Sequence, residues 1–269
     1  MSRATPMERW ADRALGVVTG LVLLALYAPV AVVVLFSFVP YRQRQIIWDE
    51  ATLDWYIRLV QNLEIRDAIA NSLIVGTASV TLALVVAVIC AFYVQSERAF
   101  ARGALEALIL LPFLLPPIVT GLSLLIFFQQ SGVERGLTSI ILGHAAFLLA
   151  LTYRIVLNRL RALPRSLIEA SYDLGATTLQ TLRHVILPHL ASALIAAALL
   201  AFTLSIDETL ITIFLAGDDM TLPLRLWAKM RVGFTPEVNA LGTLVLLVSA
   251  ALTIGMAWRL RHRAIETDD

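Results

Sequence analysis

The chain is short of charge, of lysine and of cysteine, and each shortage closes off a class of function. Charged residues make up 15% of its 269 positions, where a soluble domain carries about 25%. Lys229, in "WAKMR", is the single lysine. The phosphate-binding loop GxxxxGK[ST] needs a Gly-Lys pair, so this chain holds no ATP in that way, and any energy from ATP must come from another subunit. One cysteine, Cys90, rules out an intrachain disulfide, a CxxC redox motif and a thiolate metal cluster. It lies inside an apolar run and reads as a small packing residue. There is no HExxH, and His144, His184, His189 and His262 lack metal-ligand spacing. His184 and His189 read as surface or interface residues. No catalytic dyad is visible, so the chain is expected not to be an enzyme and to carry no cofactor of its own. The net charge of +1 names no partner, and nucleic acid is not expected among them.

What the chain has is apolar length. Hydrophobic residues make up 59%, mean hydropathy is +0.80, and runs of about 18 or more apolar residues recur, the mark of membrane-spanning helices. The pattern predicts an all-α polytopic membrane protein with about six spans, near 15–39, 68–94, 105–128, 138–158, 190–216 and 238–258. A β-barrel would show short alternating segments instead. The first run exceeds a signal-peptide core of about 7–15 residues and is expected to stay as an uncleaved span. No repeat or low-complexity linker divides the chain, so 1–269 reads as one transmembrane domain. Arginines gather on one side of the spans (Arg3, Arg9, Arg13, Arg98, Arg102, Arg159, Arg161, Arg165, Arg183, Arg259, Arg261, Arg263). The opposite side is diluted by Asp49, Glu50, Asp54, Glu64 and Asp67. The positive-inside rule then puts both termini in the cytoplasm of a cell bounded by this inner membrane.

Several local signals stand out. In "TLDWYIRLVQNL", Leu53, Tyr56, Ile57 and Val60 share a helical face, which predicts a short helix that covers the spans or docks a soluble partner, with Trp48 and Trp55 near headgroups. In "LLPFLLPPIVTGL", Pro112, Pro116 and Pro117 remove backbone donors and bend the third span. Such a bend needs cover from neighbouring helices or a watery cavity; packing and cavity lining both remain open. Gly16 and Gly20 form a lone GxxxG, which reads as close packing. Asp207 and Glu208 fall inside the expected fifth span, where an ionisable group costs several kcal/mol, of the order of 3, unless paired or hydrated. Asp207 is expected to face a translocation path for a cation, with Thr203 one turn away to steady it. Glu208, about 100° round the helix, is expected to pair with a base or meet a partner. A buried ion pair or helix-end role is the competing reading. Arg225, Lys229 and Arg231 offer either a dock for an acidic protein or ordinary solvated charge.

The stretch "EASYDLGATTLQTLRHVILP" at 169–188 is polar and lies between two apolar runs. Ser166 and Glu169 have capping-box spacing, Gly175 can end a first helix in the left-handed region, Thr177 and Gln180 offer a second capping box, and Pro188 is expected to break the path before the fifth span. Leu163, Leu167, Ala170 and Leu174 form one apolar stripe, and Leu179, Leu182 and Ile186 another. The result is a stiff two-helix knob that either docks a partner or closes the bundle.

This stretch resembles the signature of permease subunits of binding-protein-dependent ABC importers: Glu-Ala-Ala, three residues, Gly, nine residues, Ile-x-Leu-Pro. Glu169, Ala170, Gly175 and "VILP" ending at Pro188 match, with Ser171 for the second alanine and Val185 for isoleucine. The segments "NSLIVGTASVTLALVVAVICAFYV", "LPFLLPPIVTGLSLL", "AFTLSIDETLITIFLAG" and "TLPLRLWAKMR" are similar to the spermidine/putrescine branch. The resemblance implies the ABC type I importer permease fold and a coupling segment at about 161–189 that enters a cleft on a cytoplasmic ATPase. Glu169, Ala170, Ser171, Leu174, Gly175 and Pro188 would make that contact. Asp207, Glu208, Thr203, Pro116 and Pro117 would serve the solute path. It also implies two ATPase subunits that bind ATP and Mg, a second homologous permease, a periplasmic or extracellular solute-binding protein, and a polyamine as solute. An amino acid derivative or an organophosphonate is the alternative solute. An ion-coupled secondary carrier is the alternative mechanism; the absence of repeated halves speaks against it.

Overall fold

The computed structural model describes residues 6–42, 45–96, 99–232, 235–247 and 250. They form two compact units, Met1–Leu63 with Leu226–Asp269, and Glu64–Arg225. The first unit opens with α1 (Pro6–Phe36), whose apolar side chains are exposed from Leu15 to Pro29. A tight hairpin follows: β1 (Tyr41–Arg42) pairs antiparallel with β2 (Gln45–Ile46). Next comes α2 (Asp54–Gln61). Ser37 Oγ lies 2.6 Å from the Tyr56 hydroxyl and joins the end of α1 to α2. The expected apolar face of α2 is real, but Leu53, Ile57 and Val60 stay exposed and Leu59 is the buried residue. That face, apart from half-buried Tyr56, is not covered by the described residues.

The second unit is built on α3 (Leu63–Gln95) and α6 (Leu137–Arg161). Ser72, Gly76, Ser79, Ala83, Ala87 and Ala91 give α3 a small-residue seam at three- and four-residue spacing, which lets neighbouring backbones approach. A Cβ on Gly76 would sit 2.8 Å from the Phe202 ring. Ser79 donates to the Ile141 carbonyl at 3.1 Å, so the hydroxyls on this seam are satisfied inside the bundle. Around α6, Ala87, Ala91, Val94, Ile109, Tyr153, Val156, Leu157, Leu160 and Leu190 form a buried cluster, with Cys90 packed at its edge.

The expected third span is broken in two: α4 (Arg102–Leu114) and α5 (Pro117–Gln130) meet at 111°. The cause is the Pro-Pro pair. A residue before proline is pushed out of the helical region, and Leu115 (ψ 146°) and Pro116 (ψ 135°) are both extended. Pro117 then starts α5 at a position where a missing N–H costs nothing. The Pro112 carbonyl, which would have bonded to residue 116, accepts instead from the Thr120 hydroxyl at 3.2 Å. Together the two legs are long and apolar enough to count as one broken span. Glu106 on α4 meets Tyr153 near the C-terminal end of α6, at 3.1 Å. Leu124 on α5 reaches Gly143 near the other end.

After α6 come α7 (Arg165–Asp173), α8 (Thr178–Thr181), a widened π turn over Leu182–Ile186 and α9 (Leu187–Asp207). Two expectations fail here. Pro188 does not break the path: residues 178–207 run on as one helix, because the π turn absorbs the ring that would strike the preceding turn. The fifth span does not reach 216 either. It stops at Asp207, and Glu208 (ψ 108°) is extended before the short α10 (Thr212–Leu215). Then α11 (Leu222–Val232) leads to α12 (Pro236–Leu247). The rest of the expected sixth span lies outside the described residues. Among those described, four helices are long and apolar enough to cross a membrane, and the α4–α5 pair makes five.

Candidate functional site

The sequence pointed to two places, the polar segment between α6 and α9 and the carboxylates near the far end of α9. The segment folds as a braced knob. The helix α7 begins behind Pro164, whose fixed φ of −60° fits the turn. Ser166 therefore sits within the first turn, and no side-chain cap forms, so the expected Ser166–Glu169 capping box is absent. Gly175 (φ +81°) ends α7 as expected. Its N–H donates to Tyr172 O at 2.8 Å and that of Ala176 to Ser171 O at 3.0 Å, the paired bonds of a Schellman ending. The second capping box is present: Thr177 N–H donates to Gln180 Oε1 at 2.8 Å, and Gln180 N–H to Thr177 Oγ1 at 3.4 Å.

Two braces escaped the sequence reading. Ser171 and Thr181, both buried, join hydroxyl to hydroxyl at 2.8 Å; Ser171 donates its proton to Ile168 O at 2.7 Å and so accepts from Thr181. Arg159 Nε donates to His189 O at 3.0 Å and links the end of α6 to the start of α9. The apolar stripes divide by position. Leu163 is buried, Leu182 and Ile186 are half-buried, and all three seat the knob. Leu167 (49%), Leu174 (89%) and Leu179 (72%) are uncovered, with Glu169 and Ala170 exposed beside them. Burying a leucine releases about 2 kcal/mol, so the tip is a cohesive apolar surface on a rigid support.

The second place is the break between α9 and α10. Asp207 closes α9 with its carboxylate exposed and, among the described residues, without a hydrogen-bond or ion-pair partner. Thr203 shares its face, together with Leu199 and Ile195, all exposed. Thr203 does not steady Asp207; its hydroxyl donates to Leu199 O at 3.0 Å. Nor does Glu208 pair with a base among the described residues: its Oε1 accepts from the Ile211 N–H at 3.0 Å and holds the turn. The break is packed against α5, where a Cβ on Gly121 would lie 3.1 Å from Ile211 Cα and 3.2 Å from Leu210 O. Gly121 is one helical turn beyond Pro117, so the structure brings the two discontinuities together. His144 on α6, buried at 1% exposure, bridges Ser205 and Thr212. Asp219 Oδ2 accepts from Leu137 N–H at 3.0 Å and caps α6. Asn71 donates to Met220 O at 3.1 Å, and Ser72 accepts from Leu222 N–H at 2.8 Å. These latches join residues 61 to 150 positions apart. The sequence offered only one hint of them, a lone histidine in an apolar run.

The basic residues after the break are engaged within the chain. Arg225 pairs with Glu64 at 3.2 Å, Lys229 with Glu237 at 2.8 Å, and Arg231 stacks over the Trp227 ring at 3.7 Å. They do not form a free cationic patch.

Comparison with known proteins gives this geometry a family. The family model described as "Binding-protein-dependent transport system inner membrane component" matches residues 80–264. The putrescine transport system permease protein PotI of Escherichia coli (strain K12) is 35% identical over 248 residues, covering 89% of this chain and 87% of the relative. The spermidine/putrescine transport system permease protein PotC of Haemophilus influenzae is 32% identical over 230 residues, covering 85% of this chain and 89% of the relative. Among solved structures, a chain of a bacterial ABC transporter that imports the acidic polysaccharide alginate superposes with a TM-score of 0.72. At 18% identity, over 96% of this chain and 99% of that one, it establishes a shared fold. A bundle of membrane-spanning helices, a braced knob between two of them and a family model that runs through both lead to one statement: this chain belongs to the binding-protein-dependent transport system inner membrane components.

Proposed function

We propose that the chain is one of two permease subunits of an ATP-driven importer for a polyamine, with putrescine as the first candidate. The observation that carries this reading is the knob between α6 and α9: braced within, apolar at its tip and uncovered. A surface of that kind suits a cleft on a separate motor subunit. The chain's lack of a Gly-Lys phosphate loop fits such a motor, whose two copies would bind ATP and Mg. The polyamine assignment rests on the permease relatives of the putrescine and spermidine/putrescine systems and on the exposed carboxylate at Asp207.

In this reading, a solute-binding protein delivers solute on the side of the break, and a second permease closes the other half of the path. Closure of the motor displaces the knob through Glu169, Ala170, Leu174 and Gly175. Ser171 keeps α7 and α8 moving together, and the helix that continues through Pro188 carries the displacement into α9. The Arg159–His189 bond keeps α6 in step. Pro116 and Pro117 open one discontinuity beside the path and Glu208 holds the other. Asp207, with Thr203 below it on the same face, offers negative potential to a cation. The family model crosses both compact units, which supports reading the chain as a single permease domain, with the knob and both termini in the cytoplasm.

The test is uptake by proteoliposomes that hold the chain with its sister permease, ATPase and binding protein. Putrescine uptake is expected to require ATP and to survive a protonophore. Asp207→Asn is expected to raise the KM at least tenfold. Uptake that needs no ATPase and collapses with the protonophore would establish the ion-coupled carrier instead. An unchanged KM in the Asp207 variant would take that residue off the path.

A further inference from the structure

We infer that His144 is a positioning residue for the solute-facing break, holding the ends of α9 and α10 in the one arrangement that presents Asp207. The inference rests on the reading of Asp207 as part of the path, and it comes from the hydrogen-bond bookkeeping around the ring. Nδ1 lies 2.9 Å from Ser205 Oγ on the last turn of α9. Nε2 lies 2.8 Å from Thr212 Oγ1 at the first residue of α10. All three side chains are buried, so none has water as an alternative partner. Thr212 has a single hydroxyl proton, and it donates that proton to Glu208 O at 2.9 Å. Towards His144 its oxygen therefore accepts. Nε2 carries the ring hydrogen, and in the neutral imidazole Nδ1 accepts from Ser205. The bonds run in one direction from Ser205 through His144 and Thr212 to the Glu208 carbonyl, and every member is satisfied.

That directed chain spans residues 205–212, where the α-helical ladder is lost. The residue next to Asp207 receives its far end. Glu208 cannot rotate without releasing Thr212, and Thr212 cannot shift without stranding the buried ring. The α10 side is fixed independently: Leu215 O accepts from Gly136 N–H and Ser139 Oγ, both at 2.9 Å. The ring is therefore the strut between that fixed element and the end of α9. The chemistry requires a side chain that donates at one end and accepts at the other across this gap. Histidine does so with a rigid ring.

The test uses the reconstituted importer, with putrescine as substrate and only preparations in which all subunits co-purify. His144→Leu is expected to raise the KM at least tenfold while the maximal rate changes less than threefold. Thr212→Val, which keeps the shape but removes the acceptor, is expected to do the same, and the double variant to add nothing. His144→Gln, which restores a donor towards Thr212, is expected to return the KM to within threefold. A wild-type KM in Thr212→Val overturns the inference, whether or not His144→Leu assembles. A His144→Gln variant as impaired as His144→Leu overturns it too, since packing alone would then explain the ring. Asp207→Asn separates the two claims. If that variant leaves the KM unchanged, the path reading has failed; if it raises the KM and Thr212→Val does not, only the role of His144 has.

Discussion

Ser171 shows how one oxygen decides the behaviour of a whole segment. In sequence it stands where the resembled signature has a second alanine. In the fold its hydroxyl meets Thr181 at 2.8 Å beneath the knob's surface. Removing one partner of a buried pair costs about 1–3 kcal/mol, because the other is left unsatisfied, whereas removing both can be nearly neutral. Ser171→Ala is therefore expected to lower the thermal midpoint of the purified assembly and to raise the ATP hydrolysed per solute moved. Adding Thr181→Val is expected to recover the midpoint but not the coupling ratio, since the clasp between α7 and α8 stays open. Calorimetry paired with counted uptake checks both. Glu208 makes the complementary point. From its place in an apolar run it reads as a charge in need of a base, yet the nearest backbone N–H, that of Ile211, satisfies it.

At the scale of elements, proline acts in opposite ways depending on its neighbours. Pro116 and Pro117 in tandem deny two N–H groups and push Leu115 into the extended region, so the helix ends and restarts at 111°. Pro188 stands alone, and a π turn ahead of it lets the helix continue. Replacing both members of the pair, Pro116→Ala with Pro117→Ala, restores the donors and is expected to straighten α4 and α5 into one rod. Spin labels at Ala104 and Gln129 would lie about 20 Å apart across the native bend of 111° and about 38 Å apart in a continuous helix, at 1.5 Å per residue. Pulsed electron resonance, with Cys90 replaced, separates the two. The sequence located the bend but not its size, because helix-breaking residues set where a ladder fails. The direction taken afterwards depends on what α5 packs against, here the backbone of 210–211 at Gly121.

For the molecule as a whole, the sidedness expected of everything after α4 and α5 turns on whether that pair crosses the membrane. The pair touches α6 at Tyr153 through Glu106 and at Gly143 through Leu124, and we propose that it makes one crossing. With the pair counted as one crossing, the proposed topology expects the knob in the cytoplasm and α2 outside. With Cys90→Ala as background, Leu174→Cys at the knob tip is expected to react with a membrane-impermeant thiol reagent only in inside-out vesicles. Val60→Cys on α2 is expected to react only in intact cells. Labelling of both from the same side would mean that the pair enters and leaves on one face. The single native cysteine makes the measurement clean, and both sites are well exposed, at 89% and 69%.

By itself the sequence determined the all-α membrane class, the place of the break at Pro116–Pro117, and the knob with its Gly175 ending and second cap. All of these follow from periodicity and local backbone preference, which act over a few neighbouring positions. Tertiary structure alone decided that Ser171 clasps Thr181, that α9 stops at Asp207, that Asp219 caps α6, and that His144 bridges Ser205 to Thr212. Each of those depends on groups brought together from distant parts of the chain or on a helix end set by its neighbours. A buried polar atom in a bilayer takes whichever partner the packing places within 3 Å, and spacing along the chain carries no record of that choice.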